Sequence, residues 1–105
     1  MSSAVLILTA CSEEAEAARL AGTLVEEHLA ACVHVFPAGE SIYRWEGKIE
    51  RAAERQVLVK TSPEKAQAAA DRIRDLHSYQ LPEILILPAD GDKGYLDWIF
   101  QETVK

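Results

Sequence analysis

The sequence predicts an α+β domain built on one antiparallel sheet, and three features carry that expectation. Residues 4–9 (Ala-Val-Leu-Ile-Leu-Thr) and 82–87 (Pro-Glu-Ile-Leu-Ile-Leu) are short aliphatic runs of the kind that form buried strands. Residues 32–60 are β-rich and carry one clear reversal signal, so they read as a hairpin. The intervals before and after that hairpin carry apolar residues at helical spacing. In chain order this is β-α-β-β-α-β, followed by a short terminal helix.

The first strand ends at Thr9. Ser12 is placed to cap a helix, Glu13 and Glu14 suit its positive end, and Ala17, Leu20, Ala21, Leu24, Val25 and His28 recur at helical spacing. The first helix is therefore expected over about residues 13–29. In the long strand that follows, Pro37-Ala38-Gly39 predicts a bulge or bend, after which residues 41–45 resume as strand. Glu46-Gly47-Lys48 supplies the reversal, and the returning strand takes in the apolar residues 56–60. Tyr43 and Trp45 alternate and so share a face, on which Ile49 is expected to join them across the turn.

Ser62-Pro63-Glu64 reads as a helix start, with Ser62 as N-cap and Pro63 at the first helical position. Ala66, Ala69, Ala70, Ile73 and Leu76 give the apolar stripe, which ends near His77. The fourth strand, residues 82–87, is expected to stop at Pro88. The turn cluster Asp90-Gly91-Asp92-Lys93-Gly94 precedes a terminal helix over residues 95–103. This order is the ferredoxin-like split βαβ arrangement, in which both long helices cover one sheet face. The opposite face is left short of cover, so self-association is the expected remedy.

The 105 residues suit one domain, 1–105, and leave no room for a second core. A net charge of −6 repels phosphate backbones and anionic lipid surfaces, which disfavours nucleic acid and membrane as partners. Residues 1–10 carry no basic leader and too short an apolar run to span a membrane, so a cytoplasmic location is expected. Two cysteines, Cys11 and Cys32, are expected to be free thiols. One thiol in the loop after the first strand excludes a Cys-x-x-Cys copper carrier, and Glu13 with Glu14 would repel a phosphate there. With no nucleophile elbow or assignable carboxylate pair, enzyme activity is not expected.

Four segments carry a family resemblance: Leu29-Ala30-Ala31-Cys32-Val33, Ser41-Ile42-Tyr43-Arg44-Trp45-Glu46-Gly47-Lys48, Tyr79-Gln80-Leu81-Pro82-Glu83-Ile84 and Tyr95-Leu96-Asp97-Trp98. In order and spacing they resemble the CutA family of divalent-cation tolerance proteins. The resemblance implies a PII-like homotrimer whose hairpins extend neighbouring sheets, and a role in tolerance to copper and other divalent metal ions. It implies no catalysis and no metal needed for folding, and it suggests Cys11, His77 and Glu83 as ligands for Cu(II) or another divalent ion. His34 stands where Asn is usual in the family, and Ser78 follows His77 where Pro is usual.

Each of these residues also has a plainer reading. Cys11, near a helix N-terminus where its thiolate would be favoured, is either a soft ligand or a small packed hydrophobe. His77 is either a neutral imidazole ligand or an imidazolium stabilising a helix C-terminus. Glu83 is either a ligand or half of an ion pair between subunits. Tyr43 and Trp45 read as trimer-interface residues, with a ligand-stacking platform as the rival. The alternatives to a metal-binding trimer are a PII-like sensor holding a small metabolite in intersubunit clefts, and a non-catalytic scaffold.

Overall fold

The computed structural model describes residues 3–104; Met1, Ser2 and Lys105, which belong to the expected 1–105 span, lie outside the described residues. The elements are β1 (Ala4–Cys11), α1 (Glu14–Glu26), β2 (Cys32–Trp45), β3 (Lys48–Thr61), α2 (Ala66–Leu76), β4 (Leu85–Ala89) and α3 (Lys93–Thr103). They form one four-stranded sheet in the order β2-β3-β1-β4, with every pair antiparallel. This is the expected α+β, ferredoxin-like order.

Alternation along β1 and β3 sends Val5, Ile7, Cys11, Val57 and Val59 to one face. There they meet Ala17, Leu20 and Leu24 of α1 and Ala66, Ala69, Ala70 and Ile73 of α2. Both helices thus cover the same face, and each fully buried aliphatic side chain stabilises the subunit by about 1.5–3 kcal/mol. On the other face Leu8 is paired with Leu58 and Leu85, and Leu6 with Leu87. α3 closes only one end of it, where Leu96 and Ile99 pack with Ala4, Ala31 and Ala89.

The hairpin runs far beyond the body, giving principal extents of 45 × 23 × 22 Å. The radius of gyration is 14.3 Å, against about 13 Å for a compact domain of this length. Its β2 strand carries the expected irregularity, a register shift between Val35 and Ala38. At the tip Glu46 and Gly47 both have positive φ, 50° and 80°, the backbone that a two-residue reversal demands. That turn pairs Trp45 with Lys48 and Arg44 with Ile49. Ile49 therefore lies on the face opposite Tyr43 and Trp45, and the expected three-residue patch does not form.

Other local expectations shift for identifiable reasons. α1 begins at Glu14, with Glu13 rather than Ser12 at the N-cap, and ends at Glu26; His28 then takes a positive φ of 59° that closes the helix. Ser62 does not cap α2, whose N-cap is Lys65. Ser62 is buried and its hydroxyl accepts from Thr103 Oγ1 at 2.9 Å, while the Ser62 carbonyl starts a tight turn by accepting the Lys65 N–H at 3.1 Å. β4 begins at Leu85 and runs through Pro88, which an edge strand tolerates because one side of its backbone makes no ladder bonds. Glu83 consequently precedes the strand. α3 starts at Lys93, capped by Asp92, whose side chain accepts the Tyr95 N–H.

Candidate functional site

Consecutive residues at the end of β1 face opposite sides of the sheet. Cys11 enters the core with no exposed surface, its Sγ 3.9 Å from His77 Nε2. His77 is the C-cap of α2, where the chain turns extended and carries the imidazole, fully buried, back over the strand end. Nδ1 accepts the Tyr79 N–H at 3.1 Å, so the ring proton sits on Nε2, which donates to the Ala10 carbonyl at 2.7 Å. The ring is a neutral imidazole held at both nitrogens, and the imidazolium reading of the helix end is corrected. The 4.0 Å approach of Nδ1 to Glu16 Oε2 is accordingly no ion pair.

Glu16 itself is buried, and its Oε2 accepts the Ser78 N–H at 2.6 Å while Oε1 has no hydrogen-bond partner. Ser78 is thereby put to use, because a proline at this position would have no N–H to give. Burial, then the Glu16 and Glu54 carboxylates, push the Cys11 thiol up to about 11. The expected thiolate preference from the helix terminus is overruled. Desolvation and two negative neighbours exceed what one helix end supplies.

On the other face Ala10 opens onto a cleft of about 430 Å³. The projecting β2–β3 hairpin, an arm beyond the body, contributes Ser41, Tyr43, Trp45 and Glu54, and the segment after α2 contributes Tyr79, Gln80, Leu81 and Glu83. Tyr79 donates its hydroxyl proton to Glu54 Oε2 at 2.6 Å. Its phenol is pushed up to about 12 by burial and by that bond. Gln56 Nε2 bridges the Thr9 carbonyl and Glu83 Oε2, each at 2.9 Å. Among the described residues no Lys, Arg or His lies within ion-pairing distance of Glu54 or Glu83.

The structure therefore joins Cys11 to His77 and sets Glu83 on Gln56 in the cleft. Among the described residues no three His, Cys, Asp or Glu side chains are grouped to hold a metal ion. Tyr43 and Trp45 are 44% and 42% exposed and form one wall of the cleft. His28 donates from Nδ1 to the Glu102 carbonyl at 3.0 Å. Glu16, Glu54, Gln56 and Tyr79 were not legible as site residues. For Tyr79 the motif at 79–84 was the available signal; for the others only the strand register and the α1–α2 contact reveal the placement.

The model of the CutA1 divalent ion tolerance protein family matches residues 5–102. The divalent-cation tolerance protein CutA of Yersinia pestis (strain Pestoides F) is 44% identical over 99 residues, covering 93% of this chain and 83% of that protein. Among solved structures, CutA from Xylella fastidiosa superposes with a TM-score of 0.93 at 41% identity, covering 97% of this chain and 99% of that one. The periplasmic divalent cation tolerance protein CutA from Archaeoglobus fulgidus gives a TM-score of 0.91 at 40% identity, with 95% and 98% covered. Family model, relatives and fold agree over nearly the whole described chain, and the chain belongs to the CutA1 divalent ion tolerance protein family.

Proposed function

We propose that residues 1–105 act as one non-catalytic domain, assembled as a homotrimer, that takes up Cu(II) or another soft or borderline divalent ion at Cys11 and His77, with Glu83 recruited as a third donor. The observation that carries this reading is the 3.9 Å approach of Cys11 Sγ to His77 Nε2 from elements distant in sequence. A thiol and an imidazole are the donor types such ions prefer. Both groups are already packed or hydrogen-bonded, so folding does not require the ion. Uptake has to release His77 Nε2 from the Ala10 carbonyl and remove the thiol proton, so affinity rises with pH.

The trimer reading is supported by the apolar open face, where Leu85 and Leu87 stay exposed beside Leu6, Leu8 and Leu58. Tyr43 and Trp45 are assigned to the subunit boundary. No helix among the described residues is long and apolar enough to cross a membrane, and a cytoplasmic placement rests on the two free thiols. Calorimetric Cu(II) titration of the wild type, Cys11→Ser, His77→Ala and the double variant tests the metal site. Residues completing one site act as a unit, so the double variant should lose little beyond either single. Unchanged affinity in both single variants, or fully additive losses, would remove the site. A second reading, a metabolite-sensing trimer, is favoured by the cleft itself, whose 430 Å³ far exceeds one ion.

A further inference from the structure

We propose that Glu16 is a positioning residue for the Cys11 and His77 pair: its buried carboxylate accepts the Nδ1 proton of His77 when Nε2 serves as donor to a divalent ion. This rests on the metal reading of Cys11 and His77, and adds a residue outside their donor set. The arrangement lies on the helix-covered face and within one subunit. There the Cys11 and His77 side chains have no exposed surface and Glu16 keeps 8%.

Glu16 is an unusual carboxylate for its place in the fold. It stands in the first turn of α1, where an acidic side chain ordinarily favours the positive helix end from water. Here it is buried, its Oε2 accepts the Ser78 N–H, and its Oε1 has no hydrogen-bond partner. Among the described residues no Lys or Arg lies within ion-pairing distance of it. One backbone N–H fills one of a carboxylate's roughly four acceptor positions, and leaving a buried charge so poorly paired is costly. The side chain that approaches it is His77, whose Nδ1 is 4.0 Å from Oε2.

The His77 ring explains what that spare capacity is for. Its proton sits on Nε2 and is given to the Ala10 carbonyl, while Nδ1 accepts the Tyr79 N–H. Cys11 Sγ lies beside Nε2, at 3.9 Å, so the nitrogen able to share an ion with the thiol is Nε2. A neutral imidazole offers a lone pair at Nε2 only as the other tautomer, with its hydrogen on Nδ1. Nδ1 then gives up the Tyr79 N–H and needs an acceptor of its own. Glu16 supplies it after a side-chain movement of about 1 Å, which brings the pair to hydrogen-bond distance. The ring is neutral before and after, one proton has changed nitrogen, and the thiol proton leaves to solvent. A carboxylate on the far nitrogen of a ligating histidine fixes the tautomer and makes the ring a better donor.

The test uses Zn(II), which has no redox chemistry with a thiol, and the full chain labelled with 15N in its three histidines. The His77 signals are those lost in His77→Ala. Without zinc the ring should be protonated at Nε2; with zinc it should be protonated at Nδ1, and that proton should lie downfield, as a bond to a buried carboxylate requires. Glu16→Gln keeps an acceptor for the Ser78 N–H, so urea unfolding should change little while calorimetric Zn(II) affinity falls about tenfold. Unchanged zinc affinity in Glu16→Gln, with affinity lost in Cys11→Ser and His77→Ala, would overturn the role of Glu16 and leave the metal reading standing. Unchanged affinity in the two ligand variants as well would overturn both. Should Glu16→Gln fail to fold, the wild-type spectrum decides: a zinc-loaded His77 still protonated at Nε2, or an Nδ1 proton without the downfield shift, overturns the proposal.

Discussion

Cys11 and Ala10 are neighbours in the chain, yet they belong to two regions of opposite character. Around Cys11 the polar groups are buried and mostly spent: His77 uses both nitrogens, and Glu16 accepts from Ser78. Beyond Ala10 the carboxylates of Glu54 and Glu83 lie half-buried in a cleft beside aromatic rings, with no counter-charge in ion-pairing distance among the described residues. The difference teaches where each kind of ligand costs energy. An ion entering beside Cys11 has to break interactions that exist, whereas the cleft carboxylates of Glu54 and Glu83 each spend Oε2 on a neutral donor and keep acceptor capacity in hand.

The contrast breaks first at the core. Ile73→Ala, under α2 with no exposed surface, should destabilise the subunit by about 2–5 kcal/mol in urea unfolding. Ile49→Ala, on the arm and 65% exposed, should stay within about 0.5 kcal/mol. Equal losses would show that the arm is covered in a way the subunit does not reveal. Trp45→Ala sharpens the same comparison at the subunit boundary. Dilution followed by light scattering should show assembly weakened by about 2 kcal/mol, with the subunit's own unfolding little changed; an undiminished trimer would move Trp45 away from the interface.

A pH titration separates the two regions chemically. The Cys11 thiol ionises near 9.0 when unfolded and at about 11 when folded. Between those values the unfolded chain has lost a proton that the native chain keeps, so stability falls as pH rises. Its contribution is fully present below 9 and gone above 11. Cys11→Ser should flatten the start of that alkaline limb and leave the later part, which belongs to Tyr79 between 10.0 and about 12. An unchanged profile would mean that the thiol is not buried in solution. The smallest effect expected is at Arg51–Glu40 on the arm. This pair is 3.1 Å apart but well exposed on both sides, so Glu40→Gln should cost well under about 1 kcal/mol and less at high salt.

Much of this architecture could be read from local pattern. The aliphatic runs of β1 and the helical stripes of α1 and α2 announced themselves because burial on one face imposes a period on the chain. The bulge was readable at Pro37-Ala38-Gly39 for the same reason: proline and glycine act on their own backbone. The errors occurred where a residue's partner is remote. Ser62 looked like a cap, but Thr103, 41 residues away, takes its hydroxyl. Ile49 was placed by distance from the turn, but a two-residue reversal shifts the register by one and sends it to the other face.

The sequence by itself determined the element order, the helix-covered face and the family, since these follow from periodicity and motif order. Only the tertiary structure decided the electrostatics of both sites. Whether Cys11 stays a thiol depends first on its burial and then on Glu16 and Glu54 across the strand end, and the Glu83 carboxylate is held in the cleft by Gln56. Charges interact through space and through the water that packing excludes, and neither quantity is a property of neighbouring letters in a chain.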